Sequence, residues 1–171
     1  MITDPTKTGS VYSERVSSSG TEALFLALSF LFLILFARRQ TAAALDLWGV
    51  LFLSAFAFFL FYAINYRVLV IHVTQDSLQL RFGIFRWTVP LVNISACYPD
   101  RTSLWRIGGA GIHFSFFAGR YRAMFNFLQH SRLVIALPQK RGPVQELAFS
   151  TRHPEELMAL IKAASCYDGD A

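Results

Sequence analysis

The chain is poor in the residues that hold metals or build disulfide frameworks. Its two cysteines, Cys97 and Cys166, stand far apart in 171 residues and have no C-x-x-C or C-x-x-H neighbourhood, which argues against a disulfide scaffold and a zinc knuckle. The four histidines, His72, His113, His130 and His153, have no partner at a ligand spacing such as H-x-x-x-H. The glycine run Gly108, Gly109, Gly111 fails the G-x-G-x-x-G pattern and has no Walker lysine after it. A G-x-S-x-G elbow is also missing. Glu155 and Glu156 are neighbours on a predicted helix and point apart, so they do not form a carboxyl pair across a cleft. These absences predict a protein that is not an enzyme and that carries no cofactor or metal.

Charge is scarce as well. Charged residues make up 16% of the chain, against roughly a quarter in soluble domains. The net charge of +5 is spread along the sequence, which suits anionic lipid nearby but gives no nucleic-acid footprint.

What fills the chain instead is apolar. Hydrophobic residues reach 54%, with 17 phenylalanines. Many of these side chains fall in two N-terminal blocks, which favours membrane segments over an unusually apolar core. From Ala23 to Ala37 fifteen uncharged residues run together, about 22 Å as a helix at 1.5 Å per residue. With Thr21, Glu22 and Ser17 to Gly20 in the headgroup zone this reads as a span over about residues 22–37. Leu47 to Ile64 gives a second uncharged run, flanked by Trp48 and Tyr62 near the two interfaces, and reads as a span over about 43–64. Asp46 falls at the start of that helix, where a carboxylate meets water and the positive end of the dipole.

The short Arg38-Arg39-Gln40-Thr41 segment is read as the connection, making residues 22–65 a helical hairpin. Residues 1–21 are then a polar tail on the same side of the membrane as everything after residue 65. Lys7, Arg15, Arg67, Arg81 and Arg86 outnumber Arg38 and Arg39, which places tail and domain in the cytoplasm of a multi-pass protein of the inner or plasma membrane. A competing account makes the first apolar run a secretory signal cleaved near Ala42 to Ala44, against which the Arg pair argues.

After residue 66 the period changes to two. RVLVIHVT, SLQLRF and IFRWTV read as an antiparallel meander ended by Pro90. Further strands are expected at Ile112 to Phe117, Tyr121 to Phe127, Arg132 to Leu137 and Val144 to Phe149, about seven in all, as a sandwich or barrel. Pro154, Glu155 and Glu156 open a helix whose Leu157, Leu160, Ile161 and Ala164 share one face. The fold class is therefore α+β: a transmembrane hairpin, a β domain over 66–165 with a C-terminal helix, and a tail at 166–171.

VTQDSLQLRFGIFRWTVPLVNI (73–94), GGAGIHF (108–114), YRAMFNF (121–127) and FSTRHPEELMALI (149–161) together resemble the bacterial pleckstrin-homology-like domain proteins. The resemblance implies a partly open antiparallel barrel closed by a C-terminal helix behind paired membrane helices, and a binding or assembly module with no conserved reaction. The opening hairpin lacks the Lys-x-Lys/Arg pair with which eukaryotic relatives grip phosphoinositides.

The residues that point most directly to a partner are basic. Arg120 and Arg122 alternate with Tyr121, while Arg132, Lys140 and Arg141 fall near strand ends. They are the candidate lipid- or partner-facing residues. A solvated face that keeps the domain soluble accounts for the same pattern. Three functions follow: a membrane-anchored protein-interaction or self-association module, an anionic headgroup sensor, and a component of a membrane enzyme or transporter.

Overall fold

The first ordered element lies where a polar tail is expected. The computed structural model describes residues 10–42, 46–103, 110–117 and 119–166, so Gly108, Gly109 and both chain ends lie outside the described residues. Strand β1, Ser10–Ser17, pairs antiparallel with β2, Val68–Thr74. Tyr12, Glu14 and Val16 turn inward, Val16 being fully buried. A glutamate in the middle of the inner face interrupts the apolar alternation that would have marked the strand. Its carboxylate is satisfied by the Tyr12 hydroxyl at 3.0 Å, the Thr151 hydroxyl at 2.6 Å and the Arg152 amide at 2.7 Å, as a buried charge requires.

Ser18 alone separates β1 from helix α1, Ser19–Ala42. Its hydroxyl accepts from the Thr21 amide at 3.2 Å, an N-cap. The helix continues through Arg38 to Thr41, so this segment is the last turn of α1 and not the connection. Arg and Gln are good helix formers, and cations are favoured at a helix C-terminus. Helix α2, Leu47–Asn65, starts where expected: Asp46 is its N-cap, accepting from the Gly49 amide at 2.9 Å and from Arg39 Nε at 3.0 Å.

The two helices meet along a seam of rings. Phe25 and Phe32 pack on Phe59, Phe25 on Tyr62 and Phe32 on Phe52. The Ser29 hydroxyl donates to the Phe56 carbonyl at 3.4 Å. Away from that seam both helices stay apolar and open: only 11% of the most apolar window of each is buried. Helices hydrophobic all round need an apolar surrounding, and both are long enough to cross a bilayer.

The β domain consists of two open sheets. In sheet A the order is β1-β2-β3-β4, with β3 at Ser77–Phe82 and β4 at Phe85–Pro90. In sheet B the order is β5-β8-β9-β7-β6, from Ala96–Pro99, Ser131–Arg141, Val144–Thr151, Arg120–Asn126 and Gly111–Phe117 respectively. Strand β9 enters between β8 and β7 and runs parallel to β7. Where about seven strands in a sandwich or barrel are expected, the described residues form nine strands in two open sheets, one pairing of which is parallel. Besides β1, the sequence reading missed β5, a four-residue strand of which only Cys97 is buried.

The core lies between the sheets. Leu69, Ile71, Leu80 and Phe82 come from sheet A, and Phe125, Leu133, Leu147 and Phe149 from sheet B. Helix α3, Pro154–Cys166, packs on β5 and β8 and buries Leu157 and Ile161 completely. Each of those side chains contributes roughly 1.5–3 kcal/mol by leaving water. Cys166 therefore belongs to α3 rather than to a tail.

The helix pair is joined firmly to this domain. A column of rings runs from Phe25 through Tyr62, Tyr66 and Phe82 to Phe127, with centroid separations of 5.4, 4.6, 4.9 and 5.1 Å. Gly83, at φ +59°, brings the β3–β4 turn so close to α2 that a Cβ there would lie 2.3 Å from the Asn65 carbonyl oxygen. Arg67 pairs with Glu22 across the two helix ends at 2.8 Å. The end of the domain next to the helix pair is consequently defined by Ser17, Val68 and Gly83.

Candidate functional site

Sheet B turns one face to the core, and its opposite face carries the basic residues singled out in the sequence. Period two along β7 puts Arg120, Arg122 and Met124 on that face. Register places Arg122 beside Glu146 of β9 and Arg132 of β8 beside Ser150. Met124, Val134 and Ala148 are fully buried there in a small second apolar cluster, so charged groups at its border are partly withdrawn from water.

They are satisfied by one another. Arg122 meets Glu146 at 2.7 Å and Asp100 at 3.4 Å. Arg132 meets Asp100 at 3.0 Å and donates to the Thr102 carbonyl. Arg120 reaches Glu146 at 3.2 Å, and the Tyr98 hydroxyl donates to the same carboxylate at 3.0 Å. Arg122 also stands over the Phe117 ring, 5.0 Å from its centroid. The Arg122 and Arg132 side chains are each 9% exposed, and those of Asp100 and Glu146 2% and 4%.

Burial acts to raise the Asp100 carboxyl, but hydrogen bonds from Thr102 and the Arg132 guanidinium outweigh it and hold Asp100 below the usual carboxylate range. Glu146 is lowered in the same way: burial opposes, while Arg122, Tyr98 and Arg120 prevail. Tyr98 is raised by burial and by its bond to Glu146. This is a closed network of ion pairs. Both guanidinium groups, Arg122 and Arg132, are engaged by carboxylates of the same domain. Arg120 is 57% exposed yet already paired.

Lys140 and Arg141 end β8 at the hairpin to β9. Arg122 faces Glu146, which faces Ala136 on β8, so Lys140 and Arg141 lie further along that strand. Arg120, Arg122 and Arg132 thus meet around Asp100 and Glu146, while Lys140 and Arg141 stand at the other end of β8 from Arg132.

The remaining chemistry is dispersed. His72 lies on β2, His113 on β6, His130 after β7 with Nε2 2.8 Å from the Ser17 carbonyl, and His153 before α3. Burial lowers the His113 imidazole and pushes the Cys97 thiol up to about 11, against the pull of Lys162. Among the described residues no group of three His, Cys, Asp or Glu side chains is placed to hold a metal ion. An apolar groove of about 700 Å³ opens between Pro90, Leu91 and Val92 on one side and Leu160 and Ala164 of α3 on the other.

Two features were not legible as sites. Among the described residues strand β6 ends sheet B and pairs only with β7, and its Phe114 and Phe116 stand 49% and 70% exposed. Sheet A carries arginines on its outer face, at Arg15, Arg81 and Arg86, and all three are exposed. Only the register, which aligns residues far apart in sequence, brings these together.

Comparison with protein-family models, with characterised proteins and with solved structures finds no match to this chain.

Proposed function

We propose that the protein is a non-enzymatic, membrane-anchored β module that binds a protein partner or a second copy of itself at the membrane surface. The observation that carries this reading is the edge position of β6, where exposed Phe114 and Phe116 line a strand that has one unpaired side among the described residues. Edges of this kind accept an added strand, with main-chain hydrogen bonds giving affinity and alternate side chains giving selectivity. The anchor is supported by two apolar helices inserted between the paired strands β1 and β2.

Under this proposal both helices cross the inner or plasma membrane and the β domain lies in the cytoplasm. Cleavage of α1 as a signal would remove β1 and leave the Glu14 partners Thr151 and Arg152 without their acceptor, which argues for a retained helix. Pleckstrin-homology-like kinship remains part of the proposal, supported by the β2–β4 meander and by the helix packed on the β domain. Headgroup binding by Arg120, Arg122 and Arg132 is not favoured, because carboxylates already hold them.

The test is photo-crosslinking in native membranes from a reactive group placed at Ser115 of the full-length chain. The expected result is a discrete adduct whose mass tells self-association from a foreign partner, lost in the F114S/F116S variant. A chain that stays monomeric without adducts, or adducts unchanged in the variant, contradicts the proposal.

A further inference from the structure

The outer face of sheet A carries a row of cations that no carboxylate pairs among the described residues. Register aligns Arg15 with Val70, Val70 with Arg81 and Arg81 with Arg86. One row across four strands thus holds three arginines, all exposed. Arg81 and Arg86 are direct cross-strand partners, an arrangement that like charges disfavour. Among the described residues none of the three has a carboxylate partner; the Nε of Arg81 donates only to the Gly83 carbonyl, at 3.3 Å. None of the other described positions that the register puts on this face, Ser13, Ser17, Val68, Val70, His72, Thr74, Ser77, Gln79, Thr88 and Pro90, is an acid.

Position gives the row a meaning. The β3–β4 turn closes against Asn65 at the end of α2, and the row lies two residues back from the turn on β3, about 7 Å at the rise of a strand. At the turn itself Ile84 is 71% and Phe85 41% exposed. An apolar tip followed by long cationic side chains matches the order of layers a bilayer offers, with acyl chains first and phosphates next.

We infer that the membrane end of sheet A is a lipid-contact site: Ile84 and Phe85 enter the interface, and Arg15, Arg81 and Arg86 bind the phosphates of anionic headgroups. The site rests on the reading that α1 and α2 span the membrane. It fixes the tilt of the domain, so that the opposite sheet and its β6 edge are turned to the aqueous side.

The test uses the full-length chain, with Cys97 and Cys166 replaced by alanine, in vesicles of phosphatidylcholine with or without phosphatidylglycerol. Spin labels are placed singly at Phe30→Cys in α1, at Ile84→Cys, and at Gln75→Cys as an aqueous reference. Relaxation by oxygen and by a nickel chelate reports depth. The Phe30 label is expected deep, the Gln75 label in water, and the Ile84 label in the interface, more so with phosphatidylglycerol. Replacing Arg15, Arg81 and Arg86 by Gln lowers the immersed-to-aqueous ratio at Ile84 roughly fivefold per arginine, whereas replacement by Lys preserves it. An Ile84 label in water beside a deep Phe30 label overturns the lipid site and leaves the spanning reading intact. A Phe30 label in water overturns both. An immersed Ile84 label insensitive to phosphatidylglycerol and to the Gln variant overturns the headgroup assignment.

Discussion

Among the described side chains each sheet carries three arginines on the face turned away from the core, and the two sheets treat them in opposite ways. On sheet B, Arg120, Arg122 and Arg132 are drawn against Asp100 and Glu146, with Tyr98 and Thr102 filling the remaining hydrogen-bond positions. On sheet A, Arg15, Arg81 and Arg86 stand in a row without a carboxylate among the described residues. Residue type is the same and strand environment is similar. What differs is whether the register supplies an acid, and that decides whether an arginine holds the fold together or is left for something outside it.

The contrast breaks most readily at the buried network. Arg122→Met leaves Glu146 and Asp100 short of a counter-charge, and removing one partner of a buried pair costs about 3–5 kcal/mol. In the detergent-solubilised full-length protein this variant is expected to unfold at markedly lower denaturant concentration. The triple replacement of Arg15, Arg81 and Arg86 by Gln should leave the midpoint unmoved, and equal losses in the two would dissolve the distinction.

A somewhat smaller effect is expected at the joint between helices and domain. Gly83→Ala places a Cβ against the Asn65 backbone at a positive φ, at a cost of about 1–3 kcal/mol of strain. Proteolysis between α2 and β2 should then quicken in intact vesicles. Unchanged protection would show that the turn does not seat on the helix.

Glu14→Gln tests whether β1 is part of the domain. The neutral amide is a weaker acceptor for Thr151 and Arg152, and the loss is expected at about 1–2 kcal/mol. Hydrogen exchange along Tyr12 to Val16 should rise before the rest of the sheet. Uniform exchange across the domain would contradict a separate hold by Glu14.

The smallest effect concerns acid. Asp100 and Glu146 titrate below their ordinary values in the folded chain, so their contribution is complete above the unfolded carboxylate range, near pH 4. It is lost as the pH falls through the depressed folded values. Thermal unfolding in detergent should therefore worsen below about pH 4, and less so in Arg122→Met, where the pairing is already broken. An equal acid loss in both proteins would place the sensitivity elsewhere.

Much of this architecture was legible in the chain. Continuous apolarity marked both long helices, alternation marked β2, β3 and β4, and Pro154 with Leu157 and Ile161 marked α3. The parts that were not legible share a physical cause. Strand β1 puts Glu14 on its inner face, and a charge there reads as solvent until the Thr151 and Arg152 donors are known. Arg38 to Thr41 read as a turn because charge was taken to end the helix, although those residues favour its last turn. For the candidate site, the composition of the arginine stretches was visible, but pairing with Asp100 and alignment of Arg15 with Arg81 and Arg86 depend on register between distant segments.

In the proposed arrangement both helices cross a membrane, with β1 and the β domain on one side. Side-resolved labelling tests this in intact cells, using single cysteines at Ser13, Gln40 and Gln79 with Cys97 and Cys166 replaced. A membrane-impermeant thiol reagent should reach Gln40 from outside, and reach Ser13 and Gln79 together only after the cells are opened. Labelling of Ser13 and Gln79 from opposite sides, or of all three from the same side, would contradict it.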